Sequence, residues 1–129
     1  MPRIDTSPYK KINVNDFEKI ALFVGTIADI KNHPASKLHY ILEIDCLAQD
    51  EEYQTCAPLA KSYSMANLLG KQVVVMANIK PINILGVESN CMILCAHKNK
   101  KYSLITSDKK VPSGAKTIGL YNGERKFKS

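Results

Sequence analysis

Two cysteines stand close together in a largely apolar stretch, KPINILGVESNCMILCA, residues 80–96. Cys91 and Cys95 are four residues apart, and thiolates clustered in sequence are typical of zinc and redox sites. On an extended strand, however, four residues span about 13 Å, which is too far for the two sulfur atoms to bind one ion. The chain also has no Cys-x-x-Cys pair. We therefore expect packed thiols, and we predict no metal and no cofactor.

The three histidines give no sign of catalysis. His33, His39 and His97 have no acid or nucleophile at a spacing typical of general acid–base or covalent chemistry. We therefore predict no catalytic residue and a protein that is not an enzyme. With 129 residues, 45% apolar and 23% charged, the chain has the size and composition of one globular domain. Without a long apolar stretch or a visible signal peptide, we expect a cytoplasmic protein with no membrane partner and with reduced cysteines.

The segments that would position these side chains are mostly predicted strands. Residues 20–31 are rich in β-branched side chains, with Gly25 predicted to mark a bulge or bend. Residues 38–46 alternate, which places Leu38, Tyr40, Leu42, Ile44 and Cys46 on one face. The acidic segment AQDEE, residues 48–52, predicts a turn into a hairpin partner at 53–56. Further strands are predicted at 72–79, 87–96 and 102–106.

Short helical segments interrupt this pattern at two places. Asn15 is predicted to cap a helical turn, and Ser64 to cap a helix that ends at Gly70. The order predicts an all-β OB-fold: a five-stranded Greek-key barrel with one short helix between strands 3 and 4. A small β-rich C-terminal extension follows, including a proline-glycine turn at residues 111–114. We divide the chain into an N-terminal arm (1–16), a barrel domain with its extension (17–118) and a basic tail (119–129).

Four segments carry a resemblance to a known family: FEKIALFVGTI, HPASKLHYILEID, LAKSYSMANLLGKQVVVMANIKP and GVESNCMILCA, within residues 17–96. They resemble the free-standing tRNA-binding domain family, which includes the bacterial tRNA-binding protein, the C-terminal or β-subunit domain of methionyl-tRNA synthetases and the domain of endothelial-monocyte-activating polypeptide. That family shows N-[LI]-K-P followed by G-V-x-S-x-[GA]-M-x-L, and residues 78–81 and 86–94 are similar in type and spacing. The resemblance implies non-catalytic, structure-selective binding of tRNA.

The same resemblance implies the binding residues. Asn78 and Ser89 would hydrogen-bond phosphate, ribose or base edges, Lys80 would contact a phosphate, and Met92 would lie against an unstacked base or sugar. Lys61, in the third segment, is the fifth predicted RNA contact. A structural alternative stands beside these roles: Asn78 caps a strand end, Ser89 satisfies backbone groups, and Met92 belongs to the core.

The charge distribution leaves more than one function open. The net charge is +6, but residues 97–129 carry nine basic and two acidic side chains, whereas residues 21–96 are slightly acidic. Where the family has charged residues, this chain has uncharged, mostly apolar ones at 21–24 and 82–85. The C-terminal lysines would then attract tRNA, or the chain is a CsaA-like dimeric peptide-binding chaperone. A third possibility is a structural role in a multi-synthetase complex.

The family resemblance and the length of the C-terminal segment also lead to a prediction of the oligomeric state. The resemblance implies a homodimer or an accessory subunit of an aminoacyl-tRNA synthetase. Residues 102–118 are too few for an independent domain. We therefore predict an isologous two-fold dimer in which residues 12–20 and 98–120 cover the apolar flanks of the barrel.

Overall fold

The computed structural model describes residues 3–46 and 51–121. Most of the predicted acidic turn and of the predicted basic tail lies outside these residues. Within them the chain forms two short helices and nine strands, in the order α1 (Val14–Phe17), β1 (Leu22–His33), β2 (Ser36–Asp45), β3 (Tyr53–Ala57), α2 (Met65–Leu68), β4 (Gln72–Met76), β5 (Ile82–Ile84), β6 (Val87–Ser89), β7 (Met92–Ile93), β8 (Cys95–Lys98) and β9 (Lys101–Leu104).

Five strands form one curved antiparallel sheet in the order β3-β2-β1-β4-β7. The predicted hairpin partner is confirmed, because β2 pairs with β3 so that Ile44 lies opposite Tyr53. Backbone N–H groups of β3 donate to the side chains of Ser89 and Asn90, just before β7, and these bonds nearly close the sheet into a barrel. The single helix between β3 and β4 is α2. The predicted all-β OB-fold is thus confirmed.

The core lies inside this barrel and is built from aliphatic side chains of the sheet. Ile27, Leu42, Leu68, Val73 and Val75 are completely buried. The predicted inner face of β2 is confirmed from Tyr40 to Cys46, but Leu38 is 46% exposed. It lies beyond the last residue pair between β2 and β3, so no neighbouring strand covers it.

Gly25 marks a close approach inside the barrel. A Cβ atom at this position would lie 2.5 Å from Ile44 Cγ2 and 2.8 Å from Cys46 Sγ. The absence of a side chain therefore lets β1 and β2 pack closely. The predicted bulge lies elsewhere: β1 pairs regularly with β4 through Gly25, and the register with β2 shifts between Ile27 and Asp29.

The C-terminal extension covers the part of β1 that β2 leaves unpaired. Backbone hydrogen bonds join Val24 to Gly114 and Ala115, and Thr117 to Leu22. The extension therefore continues the sheet along the start of β1. It also brings residues 116–121 against α1, where the Tyr121 hydroxyl lies 3.2 Å from Glu18 Oε2.

Two boundaries differ from the prediction for local reasons. Helix α1 is capped by Asn13 rather than Asn15, because the Asp16 carboxylate reaches back 3.2 Å to the Asn13 backbone N–H. The predicted strand at 87–96 is divided into β6, β7 and β8, since the side chain of Asn90 draws the chain towards β3. Cys91 and Cys95 consequently do not share one strand.

Candidate nucleic-acid interface

Ser89 and Asn90 fasten the chain before β7 to strand β3. The Ser89 hydroxyl is 2% exposed and accepts a hydrogen bond from the Cys56 backbone N–H over 2.7 Å. The Asn90 side chain accepts from Gln54 N–H over 2.8 Å and donates to the Glu52 carbonyl over 2.7 Å. Buried backbone donors need such partners. These two polar side chains therefore hold the barrel closed.

Asn78 fixes a second junction, between the end of β4 and the start of β1. Its Oδ1 accepts from the Ala21 backbone N–H over 2.9 Å, and its Nδ2 donates to the Lys19 carbonyl over 2.7 Å. Both ends of the amide are therefore engaged within the chain. This geometry matches the structural alternative for Asn78, while RNA contact by this residue stays a prediction.

Asn78 is itself exposed, and three further predicted contacts also reach the surface. Lys61 lies in the loop between β3 and α2, and Lys80 in the loop between β4 and β5, and both are exposed. Within the described residues neither lysine forms an ion pair. Met92 is 40% exposed, on β7 opposite Met76. These side chains have the access that an RNA contact requires.

A shallow apolar groove joins some of these residues. Its volume is about 160 Å³, and we call it the β3 groove; its lining residues are 55–59, Met92, Ile93, Cys95 and Tyr102. Met92 lies in the groove, Ser89 supports its wall through Cys56, and Lys61 follows two residues after Leu59. Asn78 and Lys80 do not line it. The predicted residues thus form two groups. Lys61, Ser89 and Met92 lie in or near the β3 groove, whereas Asn78 and Lys80 lie in the loop after β4.

Sequence reasoning missed the hairpin formed by β5 and β6. Leu85 and Gly86, at its turn, both have positive φ angles, of 52° and 93°, as a two-residue hairpin turn requires. His33 anchors the hairpin: its Nδ1 accepts from Ala35 N–H over 2.9 Å, so Nε2 carries the hydrogen that Ile84 O accepts over 2.8 Å. The Leu-Gly pair is a weak hairpin signal beside Asn-Gly, which explains the omission.

Comparison with known proteins decides the family. Residues 22–116 match the family described as "Putative tRNA binding domain", from the first residue of β1 to the segment that pairs with it. The chain belongs to this tRNA-binding domain family. This match confirms the family resemblance read from the sequence. The matched range includes the five positions predicted to contact RNA, and their contacts stay predictions.

Curated relatives of this tRNA-binding domain include two enzymes. The methionine–tRNA ligase of Thermococcus onnurineus is 36% identical over 105 residues, which cover 81% of this chain and 14% of the relative. That of Campylobacter jejuni is 37% identical over 116 residues, covering 88% of this chain and 18% of the relative. The chain therefore spans less than a fifth of the length of these enzymes.

Solved structures share the fold of the tRNA-binding domain. A MetRS-related protein from Pyrococcus horikoshii superposes with a TM-score of 0.75 at 28% identity, covering 84% of this chain and 98% of that one. The chaperone CsaA of Bacillus anthracis gives a TM-score of 0.74 at 26% identity, covering 84% and 99%. Both neighbours are therefore matched over nearly their whole length.

One serine–histidine contact in the domain has the elements of a nucleophile and a base. Ser36 Oγ lies 2.7 Å from His39 Nδ1 at the start of β2, but it also accepts the Leu38 backbone N–H at 3.2 Å. No carboxylate in residues 3–46 and 51–121 hydrogen-bonds to His39, and these residues hold no cluster of three or more metal-ligating side chains. The two Ser36 bonds join residues at the start of β2 to one another. In residues 3–46 and 51–121, no helix has the length and apolar character to cross a membrane.

The cysteines of the domain are free thiols, as predicted. Cys46, Cys56 and Cys91 are buried, and Cys95 is half-buried. Burial raises the pKa of Cys91 to about 12 and, with a smaller effect of the Asp45 charge, the pKa of Cys46 to about 11. Such thiols stay protonated at neutral pH, so they act as apolar packing groups.

Proposed function

We propose that this domain binds folded tRNA selectively and catalyses no reaction. The observation that carries the proposal is the family match over residues 22–116, which spans the whole barrel rather than one short motif. The Ser36–His39 pair lacks a hydrogen-bonded carboxylate among the described residues, which supports a binding role. The curated relatives are methionine–tRNA ligases, which supports tRNA as the nucleic acid.

The proposed interface combines exposed contacts with a fixed frame. Lys61 and Lys80 neutralise phosphates, and Met92 offers a soft apolar surface beside the β3 groove for an unstacked base or sugar. Asn78 and Ser89 keep the backbone around these contacts in place. Asn78 is exposed and also contacts RNA in this proposal, whereas Ser89, at 2% exposure, acts through the backbone that it holds.

The domain acts as a cytoplasmic homodimer or as an accessory module of an aminoacyl-tRNA synthetase. Exposed apolar side chains near the packing of α1 against residues 116–121 support self-association: Ile12 is 70%, Val14 45% and Leu120 89% exposed. These positions lie in or beside the two segments predicted to form the dimer interface. The synthetase relatives support the accessory role.

A gel-shift titration tests the tRNA proposal. The whole chain is titrated into bulk folded tRNA, into duplex RNA of similar length and into a denatured polypeptide. We expect a saturable shift of tRNA, with weaker binding to duplex RNA. Equal binding to tRNA and duplex RNA would overturn structural selectivity, and no shift of any RNA would overturn the function.

Sedimentation tests the dimer separately. We expect a two-fold species at micromolar concentration, and Val14→Asp is expected to convert it to a monomer because a charge cannot be buried unpaired. Leu38→Asp, at a leucine near the start of β2 that is as exposed as Val14, is the matched control. A monomeric wild-type chain would contradict the homodimer and leave the accessory role as the proposal.

A CsaA-like chaperone function is the second candidate. The nearly complete structural match to CsaA favours it, as do the exposed Ile82 (51%) and Leu85 (60%) on the β5–β6 hairpin. Both side chains stand where the sequence resemblance leads one to expect charge. Saturable binding of the denatured polypeptide, lost in Ile82→Ser with Leu85→Ser, would support this function over tRNA binding.

A further inference from the structure

The β8–β9 hairpin presents an unusually basic tip. Asn99 and Lys100 form its two-residue turn, with φ angles of 54° and 64°, and asparagine is favoured in such turns because it tolerates positive φ. Lys98 and Lys101 lie directly opposite each other beside the turn. All three lysines are exposed. The turn thus gathers three positive charges at one end of the molecule.

In the part of the chain that the structure describes, none of the three lysines forms an ion pair with an acidic side chain. In residues 3–46 and 51–121, the one ion pair joins Lys19 to Asp16, far along the chain from the hairpin. Like charges directly opposite each other on a strand pair are destabilising. Packing of the fold does not explain this arrangement, whereas a polyanionic ligand would remove the repulsion.

An aromatic pair lies immediately below the basic tip. His97 and Tyr102 are opposite each other on the two strands, and their rings stack with centroids 4.7 Å apart and planes 18° apart. His97 is exposed, while Tyr102 is half-buried and also lines the β3 groove. The hairpin therefore offers a flat ring surface to solvent, backed by a second ring.

The hairpin is anchored to the barrel beside Lys61. The Tyr102 backbone N–H donates to Ser62 Oγ over 3.2 Å, and the Leu104 N–H donates to the Tyr63 hydroxyl over 3.1 Å. The Tyr63 carbonyl in turn accepts from the Tyr40 hydroxyl over 2.8 Å. These bonds link the aromatic pair to the loop that carries Lys61.

We propose that the β8–β9 hairpin is a second RNA-binding element, which takes a single-stranded segment of the ligand. Lys98, Lys100 and Lys101 bind successive phosphates, and one base stacks on the exposed ring of His97. Positive charge with adjacent aromatic rings is the combination that binds single strands without reading their sequence. The proposal rests on the proposed tRNA binding, because the hairpin extends that interface beyond the β3 groove.

The charge part is tested with two triple variants of the whole chain. One replaces Lys98, Lys100 and Lys101 by alanine; the control replaces Lys31, Lys37 and Lys71, which are exposed and lie outside the hairpin and the basic C-terminal region. For a single-stranded oligouridylate, log affinity falls with log salt by about 0.7 per phosphate contact. The hairpin variant should lose about two units of this slope, and the control less than one.

The stacking part is tested at His97. His97→Ala should weaken oligouridylate binding by about tenfold and change binding to duplex RNA little. His97→Phe should restore the affinity, because it keeps a flat ring without the imidazole. All variants change exposed side chains, and unchanged thermal unfolding would confirm an intact fold.

The outcomes separate this proposal from the proposed function. If the wild type binds tRNA and the two triple variants behave alike, the hairpin proposal is wrong while tRNA binding stands. If the wild type binds no RNA, the proposed function itself fails. Equal binding of polyglutamate and oligouridylate, with no effect of His97→Ala, would show attraction by charge alone and overturn base stacking.

Discussion

The hydroxyl oxygen of Ser89 lies 2.7 Å from the backbone nitrogen of Cys56, and this bond joins the end of β6 to β3. The two residues are separated by 33 positions in sequence. β3 is an outer strand of the five-stranded sheet, and β7, which follows Ser89 closely, is the other outer strand. A serine that belongs to a predicted RNA motif therefore also closes the barrel.

Ser89→Ala should lower the free energy of unfolding by about 1–3 kcal/mol, because it leaves the buried Cys56 N–H without a partner. Urea denaturation measures this. Ser103→Ala, at an exposed serine on β9, should stay within about 0.5 kcal/mol of wild type. Equal stability of both variants would show that the hydrogen bond between Ser89 and Cys56 does not stabilise the fold.

Gly25→Ala should destabilise the fold by about 1–3 kcal/mol through overpacking. The new methyl group would meet Ile44 and Cys46 at 2.5 Å and 2.8 Å, well inside van der Waals contact. Gly119→Ala is the matched control, since its methyl group would lie an ordinary 3.5 Å from the Phe17 ring. Similar melting temperatures for the two variants would contradict the close packing at Gly25.

Stability should decrease at alkaline pH. The pKa of Cys91 rises from 9.0 to about 12 and that of Cys46 to about 11 on folding. The unfolded chain therefore loses these protons first, so the stabilisation is complete below about pH 9 and is lost as the pH rises through about 11 to 12. Urea midpoints measured from about pH 8 to about pH 11 show how steeply the free energy of unfolding falls with pH.

The double variant Cys46→Ala with Cys91→Ala is the control for this pH dependence. It should be less stable at neutral pH, because two buried side chains are shortened, but its stability should fall less steeply above about pH 9. Part of the decrease in stability that remains in this variant is due to Tyr53. The pKa of Tyr53 is raised to about 12, chiefly by its hydrogen bond to Glu51. An unchanged slope would show that the thiols are not responsible.

Much of the fold follows from local patterns in the sequence. The alternation in residues 40–46 fixes the inner face of β2, and the β-branched run at 72–76 gives β4. The hairpin turn at Leu85 and Gly86 could not be predicted, because a leucine with positive φ is rare and carries no sequence signal. The division of residues 87–96 depends on Asn90 reaching β3, which is a tertiary contact.

The candidate site was predictable in part. Spacing and resemblance located Lys61, Lys80 and Met92, all of which the structure leaves exposed. Residue type alone could not show that the polar groups of Asn78 and Ser89 are engaged in bonds to Ala21 and Cys56. Such long-range backbone partners become visible only once the strands are placed.

Lys61→Ala and Lys80→Ala should each weaken tRNA binding by about 1 kcal/mol, because each removes one phosphate contact. Fluorescence anisotropy with labelled tRNA measures the change. Lys31→Ala, at an exposed lysine of β1 outside the predicted site, is the control. Equal affinities for all three variants would place the tRNA on another face of the barrel.

The most direct test of the central claim is the salt dependence of binding between the whole chain and folded tRNA. Because lysine side chains displace counterions from the phosphates, a plot of log affinity against log salt should fall by about 0.7 to 0.9 per contact. We predict a slope of several units, with weaker binding to duplex RNA at every salt concentration. A flat plot, or affinity that is the same for both RNAs, would contradict the assignment of this barrel as a tRNA-binding surface.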